Sequence, residues 1–240
     1  MSTTRAKKKP VLPVVVVGSG PGDPELLTLR GAEALAGADV VVHDAGVPAE
    51  LLAHVGEETE LVDLGEDPAA AETPATRAKV VDERARAGQR VVRLVHGDPT
   101  FDGLLAGEAT ALVRAKIPFE LVPGVSAVTS VPGYAGVPLT GGKANEVRFL
   151  DLAETAVDAV DWSRHVVGKS TTLVLTGAVP VLADVVDALL AAGAKPGTPV
   201  SVTRSGGTTD QRTVAGTLED VVKTAKAAGL TVEGVVVVGD

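Results

Sequence analysis

The sequence predicts an α/β protein of two domains. Short Val-rich runs alternate with Ala- and Leu-rich stretches of helical length, a pattern typical of strands that are buried on both faces of a parallel sheet. The 240 residues are 45% hydrophobic and 22% charged, which is the composition of a folded globular chain. A Pro-Gly break at residues 123 and 124 divides the chain into halves of ordinary domain size.

The first half alternates strands with helices. Continuous apolar or β-branched runs predict strands at Val14–Val17, Val40–His43, Val91–Val95 and Phe119–Val122. The stretches between them predict helices at Pro24–Ala36, around Ala49–Val55, at Ala75–Ala87 and at Leu104–Ala115. We interpret the Ala- and Pro-rich segment Pro68–Thr76 as a mobile loop and residues 1–10 as a disordered polar tail. Residues 11–123 are therefore expected to form a parallel α/β domain.

The second half, residues 124–240, is predicted to be an α/β domain with a mixed sheet. Its expected strands are Val147–Leu150, Thr172–Leu175, Val200–Thr203 and Val235–Val238. Its expected helices are Val125–Ala135, interrupted by Pro132, and then Val181–Ala192 and Leu218–Ala228. Alternating Thr and Val residues in Thr208–Gly216 indicate a hairpin-like segment.

Composition excludes several classes of function. The net charge of -9 and the aromatic content of 2% are unlike those of nucleic-acid-binding proteins, which need basic faces or stacking rings. The absence of Cys excludes disulfides, thiolate zinc sites and Cys nucleophiles, and it fits a reducing cytoplasm. No apolar run approaches the ~20 residues of a membrane span. We expect a cytoplasmic protein with a small-molecule ligand and with no nucleic-acid, membrane or metal partner.

A Gly-rich turn follows the first predicted strand. The residues from Gly18 to Thr28 read GSGPGDPELLT, in which Gly permits close backbone approach and Pro24 suits the first turn of a helix. A dinucleotide-binding turn is the alternative, but that motif requires Gly where Asp23 stands, and a carboxylate there would repel a pyrophosphate. Pro21 stiffens the turn, which favours the wall of a shaped pocket.

Three further clusters stand out, and each alone also fits an ordinary turn or helix start. RLVHGDP ends a predicted strand at Arg93–Pro99, and the carboxyl ends of parallel strands are where ligands bind in such sheets. PGVSA opens the second half at residues 123–127 with small side chains, and GGTTDQR at residues 206–212 precedes a Thr/Val strand.

Together these segments resemble the tetrapyrrole methylase family, and within it the uroporphyrinogen-III C-methyltransferases. The matching blocks, in order, are VVVVGSGPGDPELLTLRGAEAL, ADVVVHD, RVVRLVHGDPTFDG, PFELVPGVSAVTSVPGYAGVPLT and GTTDQRTVAGTLEDV, which span the chain from Val14 almost to its end. The resemblance implies two α/β domains with S-adenosylmethionine in the cleft between them. It also implies a homodimer and methyl transfer, without a metal, to ring carbons of a tetrapyrrole.

The resemblance also implies a set of cofactor-binding residues. They are Pro21, His96, Gly97, Asp98, Phe101, Ser126, Ala127, Thr176, Ser201 and Gly234. His96 replaces the first Gly of the family's Gly-Gly-Asp-Pro, and Thr176 stands where the family usually has Met. Most of these contacts use the backbone or need only small size.

The substrate side departs more from the family. The resemblance implies that Arg93, Tyr134 and Asp44 are catalytic and that Arg93 and Lys143 bind substrate, with Arg93 as proton acceptor or carboxylate anchor. A structural ion pair at a strand end is the alternative for Arg93. Basic residues that the family has elsewhere are replaced by Ala45, Val95, Leu104 and Gly141. An octa-anionic substrate needs such residues, especially in an acidic protein.

Three hypotheses follow from the sequence. The first is an active uroporphyrinogen-III C-methyltransferase of sirohaem or cobalamin synthesis. The second is a methylase-like domain with weak or lost catalysis, such as precedes uroporphyrinogen-III synthase in fused proteins. The third is a methylase of a different tetrapyrrole or another substrate. The retained cofactor blocks favour an enzyme, and the depleted basic residues favour the second or third hypothesis.

Overall fold

The computed structural model describes residues 11–45, 47–66, 72–101 and 104–239, with the side chains of 104 and 105 excepted. The expected tail at residues 1–10 lies outside this part of the chain. Two compact units make up the chain, Met1–Ser126 and Ala127–Asp240, where we expected the division after residue 123.

The first unit is built on a parallel sheet. Its strands are β1 (Val14–Gly18), β2 (Val40–His43), β3 (Glu60–Asp63), β4 (Val91–Val95) and β5 (Phe119–Val122). They lie in the order β3-β2-β4-β1-β5, and every pairing between neighbours is parallel. β2 and β4 are buried throughout, as their mostly apolar sequences predict, and the burial includes His43 and Arg93. β1, β2, β4 and β5 therefore end at one edge of the sheet.

Helices cover both faces of this sheet. They are α1 (Leu29–Ala36), α2 (Ala49–Leu52), α3 (Pro74–Arg86) and α4 (Leu104–Ala115), with a 3-10 turn at Pro24–Leu26. Val14, Val16, Val40 and Val42 pack on one face with α3 and α4. The alternate strand residues pack on the other face with Leu35 of α1, because successive strand side chains point to opposite faces.

The second unit contains a mixed sheet. Its strands are β6 (Glu146–Asp151), β7 (Thr171–Thr176), β8 (Pro199–Arg204), β9 (Arg212–Thr217) and β10 (Val235–Val238). Their order is β6-β7-β10-β8-β9, in which β6 and β7 are parallel and the other pairs are antiparallel. The helices are α5 (Ala127–Tyr134), α6 (Leu182–Ala191) and α7 (Val221–Ala227), with 3-10 turns at Val157–Ala159, Trp162–Arg164 and Val179–Val181.

The mixed sheet also has two packed faces. On one face, Val174, Val235 and Val237 contact Val128 and Val131 of α5. The other face carries the larger apolar cluster, which includes side chains of α6 and α7 and the single Trp of the sequence, Trp162. Several predicted site residues lie on the face that α5 covers.

The predicted strands and most predicted helices are confirmed, with four corrections. The helix expected at Pro24–Ala36 is divided: a 3-10 turn covers Pro24–Leu26, and α1 begins at Leu29 with Thr28 as its N-cap. β3 was missed, because its four residues are half polar and lie at an exposed sheet edge. Of the loop expected at Pro68–Thr76, residues 68–71 lie outside the described residues, and Pro74–Thr76 is not loop: Pro74 begins α3, and the Thr73 hydroxyl caps that helix at the Thr76 N–H. α5 is not interrupted by Pro132 but runs through it to Tyr134.

Candidate functional site

Three glycines pack against one another at the carboxyl edge of the parallel sheet. A Cβ atom on Gly18 would lie 2.6 Å from the Gly124 nitrogen and 2.6 Å from the Gly97 carbonyl oxygen. A Cβ atom on Gly124 would lie 2.2 Å from that same oxygen. No side chain fits at either position. The end of β1 and the loops that follow β4 and β5 are therefore in direct contact through their backbone atoms. The predicted Gly-rich turn, the Gly97 segment and the Gly124 segment are thus brought together.

Backbone hydrogen bonds fix the turn that follows β1. The Gly20 N–H donates to the Gly97 oxygen at 3.2 Å, and the Gly97 N–H donates back to the Gly20 oxygen at 3.0 Å. Both residues have positive φ, 79° at Gly20 and 65° at Gly97, which glycine adopts without strain. Pro21 follows directly and is partly exposed. The predicted proline turn is therefore locked to the loop that carries Gly97 and Asp98.

Asp98 is a buried carboxylate that holds this loop in shape. Its Oδ1 accepts the N–H groups of Thr100 at 2.9 Å and Phe101 at 3.1 Å, and its Oδ2 accepts the Gly124 N–H at 3.0 Å. Burial raises the pKa of Asp98, but hydrogen bonds from Thr100, Gly124 and Phe101 outweigh burial and leave the pKa below its ordinary value. The carboxylate is therefore charged at neutral pH and ties the β4 loop to the β5 loop.

Arg93 lies at the centre of a buried ion-pair network. Its side chain is 1% exposed. Its Nε donates to Glu108 Oε2 at 2.9 Å, its Nη1 to the Leu94 oxygen at 2.8 Å, and its Nη2 to both Asp44 and Glu108. Glu108 also pairs with Arg77 of α3, whose Nε lies 2.6 Å from Glu108 Oε1.

The direction of the Arg93 side chain explains its burial. Arg93 is in register with Val16 and Val42, so it faces the side of the sheet that α3 and α4 cover. Burial alone would lower its pKa, but its bonds and charge interactions with Glu108 and Asp44 raise the pKa above the ordinary value. Arg93 thus forms a buried ion-pair network on the side of the sheet that α3 and α4 cover, as its alternative interpretation expects.

Asp44 connects this network to the candidate cofactor loop. One oxygen of Asp44 pairs with Arg93, and the other accepts the backbone N–H of His96 at 3.3 Å. The His96 side chain is exposed, and the Phe101 ring is 45% exposed. The Asp44 carboxylate therefore contacts the backbone of the loop that follows β4. The side chains of His96 and Phe101, in the same loop, lie at the surface.

In the second unit, predicted site residues share the α5 side of the sheet. Ser201 of β8 is in register with Val237, which packs against α5, so Ser201 lies on that face. Thr176 ends β7 two residues after Val174, another member of that face, and its hydroxyl donates to Asp151 at 2.7 Å. Tyr134 is the last residue of α5 and is 48% exposed.

The remaining predicted residues of this unit serve different local roles. Gly234 has φ of 145°, and a Cβ atom there would lie 2.7 Å from the Thr203 oxygen, so the backbone needs Gly before β10. Lys143 is exposed in a tight turn closed by 2.9 Å hydrogen bonds between Gly141 and Ala144. Ser126 ends the first unit and Ala127 begins α5, both partly exposed.

Sequence reasoning missed Glu108, Arg77 and Gln211. Glu108 is the one acidic residue in an otherwise apolar and small stretch from Leu104 to Val113, four residues before buried Leu112. A lone charge on the apolar face of a helix is the signal that could have revealed a buried partner. Arg77 and Gln211 lie in polar surroundings, and nothing in their sequence neighbourhood distinguishes them.

A family model of tetrapyrrole (corrin/porphyrin) methylases matches residues 13–222. The chain belongs to this family. It is 35% identical over 233 residues to the uroporphyrinogen-III C-methyltransferase of Methanocaldococcus jannaschii, with 95% of each chain covered. It is 37% identical to siroheme synthase 1 of Klebsiella pneumoniae over 90% of this chain but only 46% of that one, so it spans about half the length of that relative.

A solved structure gives the same fold. The uroporphyrin-III C-methyl transferase from Thermus thermophilus complexed with S-adenyl homocysteine is 30% identical, with a TM-score of 0.74. The match covers 95% of this chain and 97% of that one. The predicted family and fold class are therefore confirmed.

Metal-binding groups and membrane-spanning helices are both absent from the part of the chain that the structure describes. Within them, no group of three or more His, Cys, Asp or Glu side chains is placed to hold a metal ion. No helix in the same part of the chain has both the length and the apolar character needed to cross a membrane.

Proposed function

We propose that this chain is an S-adenosylmethionine-dependent C-methyltransferase that acts on uroporphyrinogen III. The observation that carries the proposal is the close packing of the loops at Gly18, Gly97 and Gly124, which Asp98 holds together, in a member of the tetrapyrrole methylase family. We call these three loops the loop cluster. The names of its relatives and the S-adenyl homocysteine complex of a structural neighbour support both the cofactor and the substrate.

The loop cluster fits a cofactor that is recognised largely through backbone atoms. Gly97 and Gly20 have no Cβ atoms, so their backbone atoms are open to close approach. The Asp98 carboxylate accepts hydrogen bonds from backbone N–H groups of the loops themselves. We propose that Pro21, His96, Gly97, Asp98, Phe101 and Ser126 hold the cofactor in the first unit, and Ala127, Thr176, Ser201 and Gly234 in the second. S-adenosylmethionine, when bound, supplies an electrophilic methyl group on a sulfonium.

The protein's task in such a transfer is alignment and exclusion of water. A ring carbon of the substrate attacks the methyl carbon of the cofactor and displaces the sulfur from it. The rate therefore depends on holding the ring carbon, the methyl group and the sulfur in line. The rigid first-unit loops supply the fixed half of that geometry. On the substrate side, we propose that Tyr134 contacts the ring system and that Lys143 pairs with a substrate carboxylate.

Arg93 is left out of this proposal as an anchor. Its guanidinium is already neutralised by Asp44 and Glu108, so it offers no free charge to a carboxylate. The same observation favours the second candidate function, a methylase-like domain with weakened catalysis. In that case the cofactor would bind normally, and uroporphyrinogen III would be methylated slowly or not at all.

Calorimetry and kinetics separate the two candidates. We expect S-adenosylhomocysteine to bind, and uroporphyrinogen III to gain labelled methyl groups from S-adenosylmethionine. No binding at high micromolar concentration would contradict both candidates, whereas binding without transfer would support the weakened domain. Transfer to a different tetrapyrrole only would support a changed substrate.

Lys143 gives a matched test of the substrate side. Lys143→Met should raise KM for uroporphyrinogen III by about tenfold, the effect of losing about 1.4 kcal/mol of interaction, and should leave the affinity for S-adenosylhomocysteine unchanged. Lys169→Met is the control, because Lys169 is also exposed in the second unit and has no predicted site role. Equal effects of the two variants would mean that Lys143 contributes only to general charge.

We propose further that the protein works as a homodimer in the cytoplasm, with neither nucleic acid nor membrane as a partner. The family resemblance supports the dimer. The net charge of -9 supports the absence of a nucleic-acid partner, the lack of Cys supports the cytoplasm, and the lack of a long apolar run in the sequence supports the absence of a membrane partner. Light scattering on the purified chain tests the dimer: a mass of one chain at micromolar concentration would contradict it.

A further inference from the structure

The turn between β8 and β9 is built around a glutamine. The Ser205 carbonyl accepts the N–H of Thr208 at 3.1 Å and its hydroxyl at 2.9 Å, which closes the first half of the turn. Gln211 then reaches back across the turn, and its Oε1 accepts the Gly207 N–H at 2.9 Å. The Gln211 side chain thus fixes the place of the Gly207 backbone.

The same glutamine ties the turn to α5. Gln211 Nε2 donates to the backbone oxygen of Tyr134 at 3.3 Å. The ring of Tyr134 lies against Gly207, since a Cβ atom on Gly207 would be 2.7 Å from Cε2 of that ring. Neighbouring Gly206 packs equally closely on α5, because its Cβ would lie 2.8 Å from the Val131 Cα. The turn and the end of α5 therefore fit together only without side chains at 206 and 207.

The turn holds an unfavourable backbone conformation where it meets the ring. Ser205 has φ of 51°, which non-Gly residues rarely adopt, and Gly207 has φ of 86°. A two-residue hairpin could connect antiparallel strands without strain at a non-Gly residue. What this longer turn adds is a surface for the Tyr134 ring, which remains 48% exposed and thus able to meet a ligand.

We propose that Gly207 and Gln211 are positioning residues, which set the place of the Tyr134 ring for contact with the methyl acceptor. This inference rests on the proposed function, since it assigns Tyr134 to the substrate side. Gly207 leaves the space that the ring occupies. Gln211 holds both the Gly207 backbone and the Tyr134 backbone, so loss of its side chain releases the turn from α5.

The test reads the ring directly as well as the reaction. Tyr134 is the single Tyr of the sequence, so 3-fluorotyrosine labelling gives one fluorine NMR resonance that reports its surroundings. The variants are Gly207→Ala, Gln211→Ala and Gln211→Glu. Gln211→Glu keeps the acceptor for Gly207 but loses the donor to Tyr134. Gly229→Ala is the control, since Gly229 also has positive φ, 73°, but has no atom within 4 Å of the added Cβ.

We expect Gly207→Ala and Gln211→Ala to shift the fluorine resonance and to lower kcat/KM for uroporphyrinogen III on the order of tenfold, within the range that small misplacements cost. Their affinity for S-adenosylhomocysteine should stay within about twofold of the wild type, a difference of less than about 0.5 kcal/mol. Gln211→Glu should fall between, and Gly229→Ala should change neither the resonance nor the transfer. In a Tyr134→Ala background, Gly207→Ala should have little further effect on transfer.

Three results would overturn the inference. An unshifted resonance in Gly207→Ala would mean that Gly207 does not position the ring. A shifted resonance with unchanged transfer would mean that the ring's position does not matter, while the proposed function would stand. A wild-type protein that binds S-adenosylhomocysteine but methylates no tetrapyrrole would remove the proposed function first, and this inference with it.

Discussion

The loop cluster of the first unit and the Tyr134 turn of the second are built in opposite ways. At Gly18, Gly97 and Gly124 the backbones touch, and the charges beneath them are buried and paired. At Tyr134 a half-exposed ring rests on glycine, next to exposed side chains. Both regions exclude side chains at their glycines, but the first packs backbone against backbone, whereas the second leaves the Tyr134 side chain 48% exposed. The sequence departures do not follow this division, because three of the replaced basic positions, Ala45, Val95 and Leu104, belong to the first unit and Gly141 to the second.

The largest effect is expected from Arg93→Met. Removal of the guanidinium takes one of two Arg partners from buried Glu108 and the Arg partner from partly buried Asp44, which should cost about 3–5 kcal/mol of unfolding free energy. Affinity for S-adenosylhomocysteine should fall with stability, because Asp44 also holds the His96 N–H. Urea unfolding and calorimetry measure the two quantities.

A double variant sharpens this prediction. Arg93→Met combined with Glu108→Leu removes one of the two carboxylates that lost an Arg partner and should regain part of the lost stability. If Arg93→Met instead reduced only methyl transfer, with stability and cofactor affinity intact, Arg93 would be a substrate residue and the first-unit network would not be structural.

Gly124→Ala comes next, at about 3 kcal/mol. The new methyl group would lie 2.2 Å from the Gly97 oxygen and 2.9 Å from the Gly18 Cα. Both are backbone atoms, so the strands must move apart. Gly197→Ala is the matched control, because no atom lies within 4 Å of its added Cβ. Thermal unfolding and S-adenosylhomocysteine binding should distinguish the two, and similar behaviour of both would contradict the tight packing of the three loops.

Asp98→Asn should cost about 2 kcal/mol, because an amide can replace only one of the two accepting oxygens and presents an N–H group at the other. The loss should depend on pH. The folded pKa of Asp98 lies below its ordinary value of 3.8, so its contribution is present above that pH and disappears as pH falls through the folded pKa. Urea unfolding from pH 7 downward should show the stabilities of wild type and variant converging. A constant difference would mean that the Asp98 charge is irrelevant.

The smallest effect on stability is expected from Tyr134→Phe. The ring stays against Gly207 and the Tyr134 residue is half-exposed, so the change in unfolding free energy should be under about 0.5 kcal/mol. Methyl transfer is the sensitive readout, and a fall in kcat/KM with unchanged cofactor affinity is expected. A loss of stability comparable with that of Asp98→Asn would place Tyr134 in the fold instead of the site.

The sequence predicted most of the fold because its signals are local. Runs such as Val40–His43 and Val91–Val95 contain their own strand signal, and Pro74 with Thr73 could have corrected the start of α3. β3 escaped because an exposed edge strand needs no apolar run. The pairing of Arg93 with its partners could not be predicted, because Glu108 lies fifteen residues away on a helix and Asp44 forty-nine residues away, directly after β2. The role of Gln211 depends on contact with α5, seventy-seven residues earlier.

The central claim is that this chain transfers methyl groups to uroporphyrinogen III with its first-unit loops intact as the cofactor-binding half. Mass spectrometry of uroporphyrinogen III incubated with the chain and methyl-labelled S-adenosylmethionine tests it most directly. We expect a tetrapyrrole product heavier by whole labelled methyl groups, formed in amounts that exceed the enzyme present. Unchanged uroporphyrinogen III, in a sample where calorimetry shows bound S-adenosylhomocysteine, would contradict it.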